Sequence, residues 1–573
     1  MRSLVCVSVA ALALAHAMLS SAPVTQGRMI PWRWSSDLRS STPQSLQSDS
    51  PRSLQDQLDT YIREGRFPEA GRSLETKISE ADAFLERELG NRVTAGVGAS
   101  AAIVYKDQVV LSKGFGLRNV SESSSHVTTS TRFQIGSVSK TFVALGIAIL
   151  VDEGKLAWND PVIKHYSTFQ LFDKYAQQYA TIGDLLAMNS GLGGILDVGW
   201  AFGLYSSDKT LVDALRYAAP SHSLRSEYEY ANANYMILGQ LIESVTGLEW
   251  DDFLRQRIWV PLDMTRTFST VYAAKGDNDT SSGHLACGSD VLGPYDLVTS
   301  PEVQLVTGTV DGRVAAGSVV SSSDDMAKLL RLILNKGSVD GVKILNSASL
   351  VTEMTSGKSI SSPAFTSYLD LSGHQFVPDG NTLAAGYGFD FMHHTRTGFA
   401  PDAQLGVAIM ANTQMTGAAG MNLDHLRSYV MGIFLDVPTD TLDLSLANWR
   451  KKIQEVVGHQ QQLPGVPACG YRFWENPKVM SLSATDADAL VGVYAAQDSP
   501  EYYGSIKISK TTQNHLELRA GKLEGKLDLV LDSGDDSERV FLFGRGPSAM
   551  LLEVSKNAKG KFDASLMTLF SQQ

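Results

Sequence analysis

The sequence is short of the residues that mark several classes of protein. It has three cysteines in 573 residues, at positions 6, 287 and 469. Cys6 lies in an N-terminal apolar stretch, so at most one disulfide remains in the body of the chain. Cys287 and Cys469 either pair in an oxidising compartment or stay free and buried. No Cys or His stands at metal-ligand spacing around the adjacent His393 and His394, and neither a metal site nor a cofactor is expected. There is no basic run, and the net charge is −12. That balance argues against nucleic acid or an anionic membrane surface as the main partner. Beyond the N-terminus no apolar run is long enough to span a membrane.

What is present is ordinary for a soluble globular enzyme: 43% hydrophobic and 19% charged residues, in a chain long enough for two or three domains. Met1-Arg2, an apolar run from Leu4 to Ala15 and the small residues Ala17, Ser20, Ser21 and Ala22 read as a signal peptide over 1–22. Export, and hence a secreted protein, is the expectation. Residues 23–53 are rich in Ser, Pro and Gln and read as a disordered leader.

Residues 54–440 read as one α+β domain. Leu74, Ile78, Ala81, Leu85 and Leu89 recur at helical spacing, and Gly90 stops the run. Ala101 to Tyr105, a Lys-Asp turn and Val109 to Leu111 predict a β-hairpin. Asn234 to Val245, closed by Gly247, reads as a helix, as does the stretch after Ser322 or Ser323 as N-cap. Leu405 to Ala411 reads as a strand and Met421 to Leu435 as a last helix. Strands at both ends and helices between predict an antiparallel sheet flanked by helices, with a helical region inserted. Residues 441–484, including Gln460 to Pro467, read as a linker. Six strand-like runs in 485–573, from Val491-Tyr494 to Leu551-Val554, predict an all-β barrel or sandwich.

The chemistry centres on Phe133-Gln-Ile-Gly-Ser137-Val-Ser-Lys140-Thr-Phe142, where Ser-x-x-Lys is followed by an apolar run to Val151. A helix begun at Ser137 sets Ser137 and Lys140 about one turn apart on one face. The serine then sits where backbone N–H groups are free to receive negative charge. A lysine pressed by an apolar helix can lose its proton near neutrality and act as a base. Taken alone the motif reads equally as a helix cap beside a solvated charge. It occurs again at Ser206-Ser-Asp-Lys209, in a polar stretch with no buried helix after it.

Further motifs follow in order: Gly114-Phe-Gly116, Leu156 to Pro161, Asp184-Leu-Leu to Ser190-Gly-Leu192, Tyr230-Ala-Asn232 and Gly317 to Met326. Together with Ser-x-x-Lys they resemble the serine β-lactamase and penicillin-binding-protein family, in its class C, D-peptidase-like and esterase-like branch, over about residues 95–435. The tail is similar to the lipocalin-like barrel that follows this domain in some relatives. By that resemblance Ser137 is the nucleophile that forms an acyl-enzyme. Lys140 takes its proton or holds the base. Tyr230 is the anionic base and the later proton donor, and Asn232 hydrogen-bonds the substrate amide. A phenol of pKa about 10 needs a nearby cation such as Lys140 to ionise at working pH.

The family's third motif, Lys-Thr-Gly or His-x-Gly on a strand lining the site, has no clean match. Arg396-Thr-Gly398 imitates the first form. A strand paired with Leu405 to Ala411 should begin near Met392, which puts His393 or His394 at the site end, and His394 is the preferred substrate-binding residue. A strand and hairpin of the family pattern are missing from this stretch. These readings support a serine hydrolase acting on a small-molecule or short-peptide amide or ester, a peptidase or esterase rather than an antibiotic-resistance lactamase. The alternative is a pseudoenzyme that binds or assembles with partners because its third motif is damaged, and a further one places function in the barrel as a small-ligand carrier. Homo-oligomerisation stays open.

Overall fold

A computed structural model describes residues 71–572 except 275, 277–278, 288, 299–312, 361–383, 390–394, 416–421, 459–465, 468, 512–514, 535–537 and 567. The expected signal (1–22) and leader (23–53) lie outside the described residues.

Helix α1 (Leu74–Leu89) starts at Ser73, whose hydroxyl accepts the Thr76 N–H, and ends at Gly90. The hairpin follows as β1 (Gly98–Tyr105) and β2 (Gln108–Gly116). Lys106 and Asp107 at its tip both have positive φ, the geometry whose twist matches two paired strands. A single 3₁₀ turn, Gly136–Val138, leads into α2 (Ser139–Asp152). Then come the short α3 (Ile182–Leu186) and α4 (Asp197–Ala201), α5 (Asn232–Thr246), closed by Gly247, and α6 (Ser323–Leu334), capped by Ser322. The chain returns to the sheet as β3 (Thr395–Ala400) and β4 (Leu405–Ala411), and continues as α7 (Asn422–Phe434) and α8 (Thr439–Gly458).

The four strands form one antiparallel sheet in the order β3-β4-β1-β2. The sheet therefore joins N- and C-terminal segments, as the strand distribution predicts. Its two faces follow the period-two alternation of side chains. Ala99, Ala101 and Ile103 of β1, with Leu405, Val407 and Ile409 of β4, pack against α1, α7 and α8. Ala102 and Val104, with Ala408 and Met410, face the core that holds α2, α5 and α6. Every residue from Ser137 to Leu150 is buried, so α2 is enclosed on all sides and anchors the site within the domain.

Within 441–484, read from sequence as a linker, α8 runs to Gly458, with Leu442, Leu446 and Trp449 buried against the sheet's helical layer. Cys469 is disulfide-bonded to Cys287, their Cα atoms 5.6 Å apart, which decides between the two cysteine readings. The C-terminal part is a closed barrel of eight antiparallel strands. Two of them, Phe562–Leu566 and Thr568–Gln572, were not among the six legible runs. In the first, Phe562, Ala564 and Leu566 are buried while Asp563 and Ser565 between them are not. The small and polar members of that alternation leave a weak apolar signal. Among the described residues no helix is long and apolar enough to cross a membrane.

Candidate active site

The start of α2, the start of α5 and the loop before α6 converge on one lysine. Lys140 is fully buried. Its Nζ lies 2.6 Å from Ser137 Oγ, 2.6 Å from the Tyr230 hydroxyl, 2.8 Å from Asn232 Oδ1 and 2.7 Å from the Ala316 carbonyl oxygen. The Tyr230 hydroxyl donates to Ser137 Oγ at 2.7 Å. Ser137, Tyr230 and Asn232 are each buried to within a few per cent. Three expected site residues, Ser137, Tyr230 and Asn232, thus lie within hydrogen-bond reach of the fourth, Lys140. An ammonium carries three protons and cannot give one to each of four oxygens, so protons are shared across this cluster. Ser137 occupies the turn that opens α2, where the first backbone N–H groups lack intrahelical partners and favour negative charge.

The spacer motifs hold these pieces in register. The Ser139 hydroxyl donates to the Gly136 carbonyl at 2.5 Å and accepts the Val319 N–H at 3.1 Å, which ties the nucleophile turn to the Gly317 to Met326 motif. Ser190 Oγ donates to Asn234 Oδ1 at 2.6 Å, and the Tyr235 hydroxyl to the Leu186 carbonyl at 2.9 Å, which fixes α5 against the Asp184 to Leu192 stretch. Asp184 and Thr181 form a reciprocal cap on α3. The second Ser-x-x-Lys has the bland form: Ser207 caps the helix Asp208–Ala214, and Lys209 is an exposed partner of Asp213 at 2.7 Å.

His394, the fifth expected site residue, lies outside the described residues, as does His393. Of the competing motif, Thr397 pairs with Ala408 and Gly398 with Val407 in β3, which runs beside the Gly136–Val138 turn. Among the described residues no group of three or more His, Cys, Asp or Glu could hold a metal ion.

Sequence reasoning missed three contributors. The Ala316 carbonyl holds Lys140 but is a backbone atom, signalled only by its place beside Gly317. Thr141 Oγ1 donates to the Gly388 carbonyl at 2.8 Å, joining α2 to the Gly386-Tyr-Gly-Phe389 loop. Asp197 accepts from Asn232 Nδ2 at 2.7 Å. It stands alone in an apolar stretch, and no spacing links it to Asn232.

The chain is similar to known proteins over part or most of its length. Protein flp of Staphylococcus aureus (strain MRSA252) is 29% identical over 241 residues, covering 42% of this chain and 45% of that protein. The unguisins hydrolase ungD' of Aspergillus campestris (strain IBT 28561) is 29% identical over 253 residues, covering 42% and 44%. The chain spans somewhat under half the length of the curated relatives it matches. Among solved structures, the octameric penicillin-binding protein homologue from Pyrococcus abyssi matches with a TM-score of 0.48 at 19% identity, covering 87% of this chain and 100% of that one. The beta-lactamase family model matches residues 85–430, more than half of the sequence, and the chain belongs to that family.

Proposed function

We propose that the protein is a serine hydrolase that acts through an acyl-enzyme on small amides or esters, as a peptidase or esterase rather than an antibiotic-resistance lactamase. One observation carries this reading: Ser137 Oγ, Lys140 Nζ and the Tyr230 hydroxyl lie within 2.6–2.7 Å of one another in a buried site. Such a cluster can accept the proton of an attacking serine. With Tyr230 ionised to the phenolate beside the Lys140 ammonium, Ser137 Oγ bonds to the substrate carbonyl carbon as its proton passes to the Tyr230 oxygen. The carbonyl π electrons move onto oxygen, where N–H groups at the start of α2 favour the charge. When they return, the carbon–nitrogen or carbon–oxygen bond breaks, and Tyr230 gives its proton to the leaving group. Water then repeats the sequence on the acylated Ser137.

Export of the protein is part of the same proposal. The N-terminal apolar run reads as a signal, and the Cys287–Cys469 disulfide suits an oxidising compartment.

The test is labelling with a fluorophosphonate probe in wild type, Ser137→Ala and Lys140→Ala. Labelling should vanish with Ser137→Ala and drop at least about a hundredfold with Lys140→Ala. A folded wild type that resists the probe would refute the hydrolase reading and favour a binding or assembly role.

A further inference from the structure

The Asn232 amide is held at both ends. Its Oδ1 receives Lys140 Nζ at 2.8 Å, and its Nδ2 donates to Asp197 Oδ2 at 2.7 Å. The Asp197 carboxyl also accepts the main-chain N–H of Asn232. Asn232 is the first residue of α5, and the preceding Ala231 supplies no side-chain cap. Asp197 therefore caps α5 from another element, with its charge at the positive end of the helix. An ionised carboxylate only accepts and so requires the NH₂ end of the amide. A lysine ammonium only donates and so requires the oxygen end.

The barrel reaches the same segment. Tyr502, in the short barrel helix Pro500–Tyr503, is buried, and its hydroxyl donates to the Leu196 carbonyl at 2.8 Å, one residue before Asp197. The Tyr205 hydroxyl donates to the Tyr502 carbonyl at 2.7 Å. Gly199 in α4 leaves room for this contact, since a Cβ there would lie 3.2 Å from the Tyr502 ring.

We infer that Asp197 is a positioning residue for acyl transfer, holding the Asn232 amide in the orientation that presents its oxygen to Lys140, and that the barrel turn bearing Tyr502 locks the Asp197 segment in place. The inference rests on the hydrolase reading above. The titratable groups facing Asp197 are Lys140 across Asn232 and, from the barrel, Tyr502 and Tyr503, with Tyr205 and Asp498 behind them. Burial is the largest influence on the Asp197 carboxyl and pushes it up to about 7, against the hydrogen bonds from Asn232 and the charge of Lys140. A protonated carboxyl both donates and accepts, and no longer dictates which end of the amide it meets. The amide is thus held firmly above pH about 7 and loosely below it.

The experiment follows the rate of fluorophosphonate labelling of Ser137 in the full chain across pH, for wild type, Asp197→Asn, Asp197→Ala and Tyr502→Phe. Asp197→Asn keeps an acceptor of the same shape. Like the protonated carboxyl it both donates and accepts, so it should label at about the slower, low-pH rate of wild type throughout and lose the rate step near neutrality. Asp197→Ala removes the acceptor and should label at least about tenfold more slowly throughout. Tyr502→Phe loses one hydrogen bond and should slow labelling about threefold. A folded Asp197→Ala variant with the wild-type rate and profile overturns the inference. Should that variant not fold, an Asp197→Asn profile that keeps the step overturns it instead. An unchanged rate in Tyr502→Phe overturns the barrel's part. An unreactive wild type takes the hydrolase reading down with it, whereas a reactive wild type with an indifferent Asp197→Ala overturns this inference alone.

Discussion

At the residue scale, two buried titratable side chains pull stability in opposite directions with pH. His284 is buried, its Nε2 accepts the Val120 N–H at 3.3 Å, and burial lowers its pKa to about 4. Between pH about 6.5 and 4 the unfolded chain holds a proton on this ring that the folded chain does not, so stability falls as pH falls. Asp197 has the reverse sign. Its folded pKa lies above the unfolded value, so the stability it contributes is fully present below pH about 4 and is lost as pH rises through about 7. Each effect has a slope of about 1.4 kcal/mol per pH unit, and they largely cancel from pH about 6.5 to 4. Single variants should expose them. Relative to wild type, His284→Gln should gain stability on acidification across that window and Asp197→Asn should lose it, as read from urea midpoints. A difference between variant and wild type that does not change with pH would refute the assignment for that residue.

At the element scale, α2 is held by what lies close against it. The Gly386-Tyr-Gly-Phe389 loop approaches so closely that a Cβ on Gly388 would lie 2.5 Å from Ala144 Cβ and 3.1 Å from the Lys140 carbonyl, at a φ of +80°. Gly154 just beyond α2 also has positive φ, +68°, but has nothing within 4 Å. Gly154→Ala should therefore cost about 1 kcal/mol from backbone strain alone, and Gly388→Ala about 2–4 kcal/mol because overpacking adds to strain. Paired denaturation curves would decide this, and equal costs would mean that the loop yields. Much at this scale is legible in the sequence. Gly90 and Gly247 mark helix ends, and the Ser322-Ser323 pair marks a helix start, because caps and turns depend on local backbone chemistry. The extent of α8 is not, although Leu442, Leu446 and Trp449 carry a helical period, since their buried face exists only once α7 and the sheet are assembled.

At the scale of the whole molecule, the disulfide ties the strand Gly283–Cys287 to the chain leading into the barrel, across a sequence separation of 182 residues. Removing so long a loop constraint from the unfolded chain should cost about 2–5 kcal/mol. Cys287→Ser and Cys469→Ser should lower the unfolding midpoint alike, and the double variant no further. Additive losses would mean that the two sulfurs act separately. The barrel docks through Ser499, Tyr502 and Lys522, where the Ala219 N–H reaches Ser499 Oγ and the Lys522 N–H reaches the Phe202 carbonyl, both at 2.9 Å. Nothing in the barrel's alternating strands announces this contact, because docking residues lie in turns without a period of their own.

What the sequence determined by itself is whatever short range controls. Ser137 and Lys140 share a helical face because they stand three apart, and Tyr230 and Asn232 meet at the head of α5 because Tyr-x-Asn opens it. The order of the motifs is enough to name the family. Tertiary structure decided what depends on residues far apart in the chain: that Ala316 gives its carbonyl to Lys140, that Cys287 meets Cys469, and that Asp197 takes the amide of Asn232. Those contacts exist only after loops have closed and water has left. Their partners follow from packing and from the need of each buried polar group for a partner, and neither leaves a spacing in the chain to be read.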